Sequence, residues 1–570
     1  MKVRIYLGGL LLCLLAALVG IFWRWNRTTR TTREETQMGL QSRYHLTTQD
    51  GWSNDLQTIV WNDKEKYYDV YFLHSKDGAT NPFGSSGQDW YHARSKDLVT
   101  FSEQNSAIPS RGGHETTGWK SAWTGSIIRN EGQMKGVEKG QPVAYLSGLR
   151  KDNGKQAVWA IASEDGGKTF TKALQDGQPL LSADSEGASQ NQVDERDPYV
   201  FTWQGSFYMY IAEGDAIGVY RSEDGLSWLP ANPENPSKIL PATFFRGRSW
   251  EGNAPVECPV IKTMQLPDGT SKQVLFFGAK DASRGETTGT YYTVGRVDEH
   301  GLFSAETDVR RLEQGSDYYG ANFDGTTDLG QVNSQLKTMG WIGNWNYTSK
   351  GVHADEEARQ PFLHTLGSYS LPRTVRLQQD LTLEQTVLSA KVKKKEKQQA
   401  TVEQPILQDE RLKDQTEAGK RVLYDIPKQE VAQLYDVTFE RQDTEQETVL
   451  FMDIYQGGDY VRFQYQMNTG LYQVATRAGE LDKGLEGSVA SSYYYDGLLG
   501  EGNGYQVDSG LADVSSLQLK IWTDKTSVEI QFPNGQMYTL ARFSQADQQD
   551  VKLYTSSENP ATLELERAPF

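Results

Sequence analysis

The segment "RSEDGLSW" (Arg221–Trp228) places Ser-x-Asp, a short turn and an aromatic ring directly after the strand-like run "IGVY". Two other segments share this pattern, each after a strand-like run of its own: "RSKDLVTF" (Arg94–Phe101) and "ASEDGGKTF" (Ala162–Phe170). Their serines recur roughly every 60–70 residues, a period typical of repeat architectures with one unit per blade. We expect each turn aspartate to cap its own backbone and each ring to pack between blades. The pattern predicts an all-β fold with a five-bladed β-propeller over residues 38–385.

The composition changes after the propeller region. The stretch "AKVKKKEKQQATVEQPILQDERLKDQ" is charged and short of aromatic residues, which predicts a linker over residues 386–420. Alternating strand patterns return in "YDVTFE" and "LQLKIWTDKTSVEIQFPNGQMYTL", and Asn534-Gly535 within the latter is a hairpin signal. These patterns predict a second all-β domain over residues 421–570, a β-sandwich that follows the propeller.

The N-terminus carries "IYLGGLLLCLLAALVGIFW" (Ile5–Trp23), an apolar run about as long as a bilayer-spanning helix. The segment "FWRWNRTTR" at its end offers no small-residue cleavage site. We therefore expect an uncleaved transmembrane helix, with residues 1–37 forming a membrane anchor and stalk. Basic residues flank the run on both sides, and we adopt the orientation that keeps the N-terminus inside. The predicted localisation is the cell membrane, single-pass, with the catalytic domain extracellular.

Composition and motifs exclude several classes of function. A net charge of -17 argues against nucleic acid as a partner, because phosphate binding needs a basic surface. Cys13 and Cys258 are the two cysteines, and the seven histidines show no ligand spacing, so we expect neither a disulfide framework nor a metal site. The chain contains no nucleophile elbow, Walker loop or dinucleotide fingerprint. We expect no cofactor.

Three carboxylates stand out in aromatic, strand-rich settings: Asp55 in "GWSNDLQ", Asp197 in "ERDPYVF" and Glu257 in "APVECPVI". Asp197 and Glu257 come just before a proline at the start of an apolar strand. Such a position holds a carboxylate where strand meets loop, which in a propeller is the mouth of the central funnel. For "NQVDERDPYVF" (Asn191–Phe201) taken alone, a solvated turn is the simpler interpretation.

Several segments follow one another in an order that is specific to one family. They are "GWSNDLQ", "DWYHARSKDLVTF", "WTGSII", "ERDPYVF", "VECP", "GSDYYGANF", "GWIGNW", "SLPRTVRL" and "IWTDKTSVEIQF". In this order they resemble the motifs of glycoside hydrolase family 32, the β-fructosidases, which include invertases, inulinases and levanases. The resemblance covers roughly residues 45–545, and it implies a substrate that is a fructose-containing oligo- or polysaccharide.

The resemblance also implies roles for individual residues. Asp55 would be the nucleophile, Glu257 the general acid/base and Asp197 the stabiliser of the transition state. Retaining glycosidases of this kind begin with the acid protonated and the nucleophile ionised. The residues implied in fructose binding are Asn54, His74, Trp90, Trp123, Thr124 and Arg196.

Some of these residues have simpler interpretations. Trp90 and Trp123 could equally pack between blades, and we expect Trp341 and Trp345 to be structural. Cys258 is expected to be a small buried neighbour of the acid.

The chain departs from the family pattern around the sugar site. Leu56-Gln57-Thr58 replaces Pro-Asn-Gly after the nucleophile, His74 stands where a glutamine is common, and Val256 replaces a tryptophan. These changes bear on substrate size and linkage. The sequence therefore predicts a retaining β-fructosidase acting on levan, inulin or sucrose, with two alternatives left open. These are a fructosyltransferase that uses the same covalent intermediate, and a catalytically inactive fructan-binding surface protein.

Overall fold

The computed structural model consists mainly of β-strands. It describes residues 42–48, 51–75, 87–110, 118–182, 195–214, 216–232, 237–245, 252–281, 287–345, 365–388, 396–401, 421–457, 459–477, 506–542, 544, 546–555 and 561–569. Within these ranges, the elements other than strands are the helix α1 (Ala242–Phe245) and a 3₁₀ turn at Gln175–Gly177. The all-β prediction is confirmed.

Five antiparallel sheets form the first part of the chain, and we call them blades 1 to 5. Blade 1 contains β1 (Gly51–Asn62), β2 (Tyr67–Ser75), β3 (Asp89–Ser95) and β4 (Phe101–Ile108). Blade 2 contains β5 (Trp119–Arg129), β6 (Pro142–Arg150), β7 (Gln156–Ala162), β8 (Lys172–Ala173) and β9 (Leu181–Ser182). Blade 3 contains β10 (Arg196–Trp203), β11 (Ser206–Ala212), β12 (Ile217–Ser222), β13 (Leu229–Pro230) and β14 (Lys238–Ile239).

The remaining two blades follow in the same way. Blade 4 contains β15 (Gly252–Gln265), β16 (Ser271–Asp281), β17 (Thr287–Val297), β18 (Phe303–Ala305) and β19 (Arg310–Arg311). The strand β22 (Thr365–Leu366) joins blade 1, and blade 5 contains β20 (Tyr319–Phe323), β21 (Leu336–Ile342), β23 (Ser368–Tyr369), β24 (Arg373–Leu377) and β25 (Leu383–Val387). The first strand of each blade contacts the first strands of its two neighbours, so that β1, β5, β10, β15 and β20 form a closed ring.

The ring is closed by pairing between distant parts of the chain. The strand β22 runs parallel to β1, with Thr365 opposite Gly51. An isolated antiparallel bridge joins Thr47 to Ser368 beside it. Blade 1 therefore includes chain from both ends of the propeller region, which removes a free sheet edge at the closing point.

The repeated Ser-x-Asp segments form the turns between the third and fourth strands of blades 1 to 3. In the third of them, Asp224 Oδ1 accepts hydrogen bonds from the backbone N–H groups of Leu226 and Ser227, at 2.8 and 2.7 Å. The backbone N–H of Gly225 donates to the Ser222 hydroxyl at 2.8 Å. These bonds provide the expected capping of the turn by its own aspartate.

Tyrosines on the second strands of blades 1 to 3 join each of these blades to the corresponding turn of the next blade. The hydroxyl of Tyr71 in blade 1 donates to the Gly167 carbonyl in the blade 2 turn, at 2.7 Å. Tyr145 in blade 2 makes the same bond to Gly225 in blade 3, at 2.8 Å. Tyr210 in blade 3 continues the series with Gly301 in blade 4, at 2.7 Å. The turns therefore hold neighbouring blades together as well as ending the strands.

Two six-stranded sheets form the C-terminal part of the chain. One contains β26 (Glu396–Thr401), β28 (Gln433–Arg441), β33 (Ser516–Asp524), β34 (Ser527–Gln531), β35 (Met537–Ala541) and β37 (Ala561–Pro569). The other contains β27 (Arg421–Glu430), β29 (Val449–Gln456), β30 (Asp459–Gln466), β31 (Leu471–Arg477), β32 (Val507–Asp508) and β36 (Gln548–Thr555). Both sheets contribute to one buried apolar core, which makes this part a sandwich.

The structure differs from the predicted linker at residues 386–420. The strand β25 of the propeller extends to Val387, and β26 pairs antiparallel with β37 as an outer strand of the sandwich. The difference has a physical reason: β26 is mostly polar and lies at a sheet edge, so that its sequence carries no strand-like alternation. Residues 402–420 lie outside the described residues.

A buried set of charges joins the propeller to the sandwich. Arg373 on β24 lies 2.5 Å from Glu529 on β34, and both side chains are inaccessible to solvent. His45, which precedes the first blade, bonds the same Glu529 through Nε2 and Asp524 through Nδ1, each at 2.8 Å. Burial lowers the pKa of His45, but its hydrogen bonds to Asp524 and Glu529 outweigh this effect and raise the pKa to about 9.

The predicted transmembrane helix, Ile5–Trp23, lies outside the described residues, as does the whole of the predicted anchor and stalk, 1–37. No helix among the described ranges has the length and apolar character needed to cross a bilayer.

Candidate active site

A cavity of about 370 Å³ lies among the first strands of the five blades. Asp55 on β1, Asp197 on β10 and Glu257 on β15 all line this cavity, and we call these three residues the carboxylate cluster. Their chain positions are far apart, and the closed ring of inner strands brings them together. The other residues lining the cavity are Asn54, Leu73, Gln88, Trp123, Thr124, Gln156, Arg196, Cys258, Lys280, Thr288 and Trp345.

Every inner strand leaves its regular pairing near the cavity. The register shifts fall around Asp55 in β1, Trp123 in β5, Asp197 in β10 and Glu257 in β15, with a further shift after Tyr319 in β20. A β-bulge bends its strand and re-aims the side chain at the bulge. Regular strands would direct these functional side chains elsewhere. The local irregularities therefore turn them into the cavity.

Two backbone positions at the site adopt the left-handed conformation. Asp197 has φ of 64° and Cys258 has φ of 51°, although neither is glycine. Such conformations are unfavourable for residues with a Cβ and persist where surrounding structure holds them. Here the Cys258 backbone N–H donates to Asp197 Oδ2 at 3.1 Å, so that the two strained residues stabilise each other's geometry.

The Cys258 thiol lies between two members of the carboxylate cluster. Its Sγ is 3.6 Å from Asp197 Oδ2 and 3.9 Å from Asp55 Oδ2. Gly320 approaches Asp55 from blade 5, and a Cβ at this position would lie 2.7 Å from the Asp55 carboxyl group. Only glycine therefore permits this close packing around Asp55, which is 7% exposed. The sequence-based expectation of Cys258 as a small neighbour of the acid agrees with this placement.

Glu257 is held at both carboxylate oxygens. Arg196 Nη2 lies 2.6 Å from Oε1, and the Tyr319 hydroxyl donates to Oε2 at 2.5 Å. A charge-assisted bond from a guanidinium is among the stronger hydrogen bonds in proteins. These partners orient Glu257 toward the cavity.

The electrostatics of the cluster favour a shared proton. Burial, followed by the charges of Glu257 and Asp197, raises the pKa of Asp55 to about 8. Burial also raises the pKa of Asp197 to about 6, although the neighbouring Arg196 opposes this rise. Like charges within one buried site cannot all ionise together. In the empty cluster these effects therefore disfavour the ionised form of Asp55, which is the form in which a nucleophile reacts.

Most residues that sequence reasoning placed at the sugar site line the cavity. These are Asn54, Trp123, Thr124 and Arg196. Their positions follow from the inner strands, since each lies on β1, β5 or β10 beside a register shift. Trp123 is fixed by its indole N–H, which donates to the Ser121 hydroxyl at 2.9 Å.

His74 and Trp90 do not line the cavity. His74 lies on β2, is 1% exposed and packs on the Tyr91 ring at a centroid distance of 4.1 Å. Trp90 lies on β3, is fully buried and donates its indole N–H to the Trp123 carbonyl at 2.7 Å. Both belong to the second and third strands of blade 1, which lie farther from the ring axis. Trp90 therefore packs behind Trp123 and supports it. This placement corresponds to the packing role given above as the alternative for Trp90.

Several residues that line the cavity were not predicted from the sequence. Lys280 and Thr288 come from the second and third strands of blade 4, and Gln156 comes from the third strand of blade 2. No local motif marks them, because they reach the cavity through the ends of outer strands. Trp341 is 1% exposed and lies in the core, in keeping with the expected structural role. Trp345 packs on Trp341 at a ring-centroid distance of 5.2 Å and also lines the cavity. Tyr319 lies within a quoted motif, "GSDYYGANF", but was not singled out.

Residues 45–388 match the model of the glycosyl hydrolases family 32 N-terminal domain. The chain belongs to this family, and the recognition made from the motifs is confirmed.

Known proteins of several organisms are similar to the chain. It is 28% identical over 322 residues to a levanbiose-producing levanase of Bacillus subtilis (strain 168), covering 56% of each sequence. It is 24% identical over 338 residues to an extracellular exo-inulinase of Aspergillus ficuum, covering 54% of this chain and 58% of the relative. The matched region thus spans little more than half the length of these relatives.

Solved structures show the same fold. A β-fructofuranosidase from Schwanniomyces occidentalis, complexed with fructosyl-erythritol, superimposes with a TM-score of 0.69 at 17% identity, covering 94% of this chain and 98% of that one. An exo-inulinase from Aspergillus awamori gives 0.68 at 17% identity, with 93% and 98% covered. At this level of identity the likeness establishes the fold, and it extends over the sandwich as well as the propeller.

Proposed function

We propose that the protein is a retaining β-fructosidase that releases fructose from levan, inulin or sucrose through a covalent fructosyl-enzyme intermediate. The observation that carries this proposal is the convergence of Asp55, Asp197 and Glu257 on one cavity, with a single thiol in contact with the first two. Family membership and the names of the similar levanase and inulinase support the substrate class.

In this proposal Asp55 attacks the anomeric carbon and Glu257 protonates the leaving oxygen. Retaining glycosidases divide the work between two carboxyl groups in this way, and the acid then acts as a base toward water. Asp197 stabilises the positive charge that develops on the fructose ring, because a buried anion interacts strongly with a nearby developing cation. Arg196 and Tyr319 keep Glu257 oriented through both steps.

The reaction requires the proton of the cluster to lie on Glu257. In the empty site, the raised pKa of Asp55 favours a proton on Asp55 instead. Hydroxyl groups of a bound fructose that donate to Asp55 and Asp197 would stabilise the ionised form of both carboxylates. We infer that substrate binding moves the proton to Glu257. The charged, reactive form of the nucleophile would then exist chiefly when substrate is bound.

The test is to replace each acid by its amide, as Asp55→Asn and Glu257→Gln, and to measure fructose released from sucrose, inulin and levan. We expect a loss of about 10⁴-fold or more in kcat for each variant, with the fold retained. A matched control is Asp63→Asn, which removes an exposed carboxylate from the β1–β2 turn of the same blade. Turnover like that of the unmodified protein in either cluster variant would defeat the assignment.

The same measurements separate the alternatives. Oligosaccharides that accumulate at low sucrose concentration would identify a fructosyltransferase, since the same intermediate would then be delivered to a sugar. Binding of levan or inulin without any product would identify a fructan-binding protein that lacks catalysis.

We also propose that the apolar run Ile5–Trp23 anchors the protein in the cell membrane, with the catalytic part outside. Its length and the absence of a cleavage site after it support this proposal. Fractionation of cells that express the full chain tests it. Full-length protein in the membrane fraction, sensitive to protease added to intact cells, is the expected result, and a shortened protein free in the medium would contradict it.

A further inference from the structure

Gln57 lies directly beneath the carboxylate cluster, at the second of the two register shifts in β1. The pairing of β1 with β2 shifts between Ser53 and Leu56 and again between Leu56 and Thr58. Asp55 lies inside the first irregular segment and Gln57 inside the second. The regular cross-strand ladder therefore cannot fix the backbone of Asp55, and its carbonyl needs another partner in a buried setting.

Side chains supply the partners that the ladder does not. Gln57 Nε2 donates to the main-chain carbonyl of Asp55 at 2.9 Å. The Tyr369 hydroxyl donates to the carbonyl of Asn54, the residue before it, at 2.5 Å. Both carbonyls that flank the Asp55 side chain are thus held from outside the β1–β2 pairing.

Gln57 also joins three inner strands. Its Oε1 accepts the backbone N–H of Gly125 on β5 at 2.9 Å, and its main-chain carbonyl accepts Asn322 Nδ2 of β20 at 2.6 Å. The residue is fully buried, and both ends of its side-chain amide are paired. Gly125 follows Trp123 and Thr124, two cavity residues, so one amide connects the backbone of Asp55 to the neighbouring inner strand of the ring.

We propose that Gln57 is a positioning residue for the reaction, which holds the Asp55 main chain so that its carboxylate is aligned for attack. This inference rests on the proposed function and adds a residue to it. Small misplacements of a reacting group, of about 1 Å, can lower rates by about 100-fold. Gln57 belongs to the Leu56-Gln57-Thr58 segment in which this chain departs from its family, so the glutamine supports the altered turn.

The first test is Gln57→Met, which keeps the length of the side chain and removes both hydrogen bonds. We expect kcat for fructose release from sucrose, or from levan if sucrose is not cleaved, to fall about 10- to 100-fold with KM within about threefold of the original. The matched control is Gln385→Met, since Gln385 is 1% exposed and donates to the Leu312 carbonyl at 2.6 Å, far from the cavity. That variant is expected to lose thermal stability with kcat unchanged.

The second test is Gln57→Glu. Its effect on kcat should depend on pH if Gln57 positions Asp55, whereas a purely structural role predicts no such dependence. The protonated carboxylic acid supplies a donor for the Asp55 carbonyl and an acceptor for the Gly125 N–H, the two functions that the amide uses here. The ionised form loses the donor, and burial beside the cluster raises the pKa of the new acid. We therefore expect kcat near that of the unmodified protein at pH 6 and a decline of at least about tenfold relative to it by pH 10.

The outcomes separate this inference from the proposed function. If Gln57→Met folds and keeps its kcat within twofold, or Gln57→Glu follows the original pH profile, the positioning role is wrong. If Gln57→Met does not fold, the pH profile of Gln57→Glu decides. Activity that survives Glu257→Gln would instead overturn the proposed function itself, whatever the Gln57 variants do.

Discussion

Arg196 and Glu257, which are 61 positions apart in the chain, form an ion pair at 2.6 Å on the wall of the cavity. The same Arg196 precedes Asp197 and lowers the pKa that burial would otherwise give this carboxyl group. One guanidinium therefore interacts with two members of the carboxylate cluster. The charge of the motif "ERDPYVF" has its explanation here, since the arginine offsets the repulsion among the acids that surround it.

The pKa values of the cluster predict the pH dependence of the rate. The reacting form has one proton on the cluster, which the leaving group receives. A second proton binds as the pH falls below about 6, the pKa of Asp197, and the last proton leaves as the pH rises above about 8, the pKa of Asp55. We expect a bell-shaped profile of kcat/KM between these limits, since it reports the free enzyme.

The Arg196→Met variant provides the check on that profile. Loss of the guanidinium raises the pKa of Asp197, so the acid limb should move to higher pH. A rate that stays flat from pH 4 to 10, or an acid limb unmoved in Arg196→Met, would contradict the assignment.

Asp55→Asn should stabilise the protein at alkaline pH. The folded pKa of about 8 lies above the ordinary value of 3.8, so the folded chain binds this proton more tightly than the unfolded chain. Stability is therefore lost as the pH rises from about 4 through about 8. The amide does not titrate, and we expect Tm at pH 8 to rise by about 2 °C or more relative to the original protein, with little change near pH 4. An equal effect at both pH values would argue against burial of a protonated acid.

Trp123 and Trp90 should differ in their effects on substrate binding. Trp123 lines the cavity, whereas Trp90 is buried behind it and bonds its carbonyl. We expect Trp123→Ala to raise KM for sucrose or levan by about tenfold with a small change in Tm, because an exposed ring contributes contact area to a ligand. Trp90→Phe should lower Tm and change KM by less than about threefold. The reverse pattern would place the sugar elsewhere.

His45 should stabilise the protein most below neutral pH. Its folded pKa of about 9 exceeds the ordinary 6.5, so its contribution is complete below about pH 6.5 and is lost as the pH rises through about 9. Removing one partner from a buried ionic set costs about 3–5 kcal/mol. We expect His45→Gln to lower the free energy of unfolding by this amount at pH 6 and by less at pH 9.5. His300→Gln, at an exposed site, is the control and should have no effect.

The parts of the fold that could be predicted from the sequence are those that local patterns encode. The Ser-x-Asp turns of blades 1 to 3 gave the period of the repeat, since each aspartate bonds backbone within its own turn. Blade 4 keeps only the aspartate, Asp298, whose Oδ1 accepts the N–H groups of His300 and Leu302, so that the serine pattern ends there. The three acids were likewise found because each lies in a linear motif.

Other features depend on contacts that no local pattern reports. Lys280 and Thr288 lie near the ends of the second and third strands of blade 4 and line the cavity from there. The raised pKa of Asp55 follows from burial and from the charges of Glu257 and Asp197, which only the assembled site brings together. The strand β26 was not predicted because a polar edge strand has no apolar face, so its sequence shows no alternation of apolar and polar residues.

The sharing of Glu529 between His45 and Arg373 means that the sandwich is not a separable module. A protein shortened at about residue 388 would deprive Arg373 of Glu529 and would leave His45 without both of its acids. Exchange of C-terminal parts between relatives, as is done with domains joined only by a tether, would succeed here only if the acceptor carried equivalent acids. Each part therefore neutralises buried charges that belong to the other.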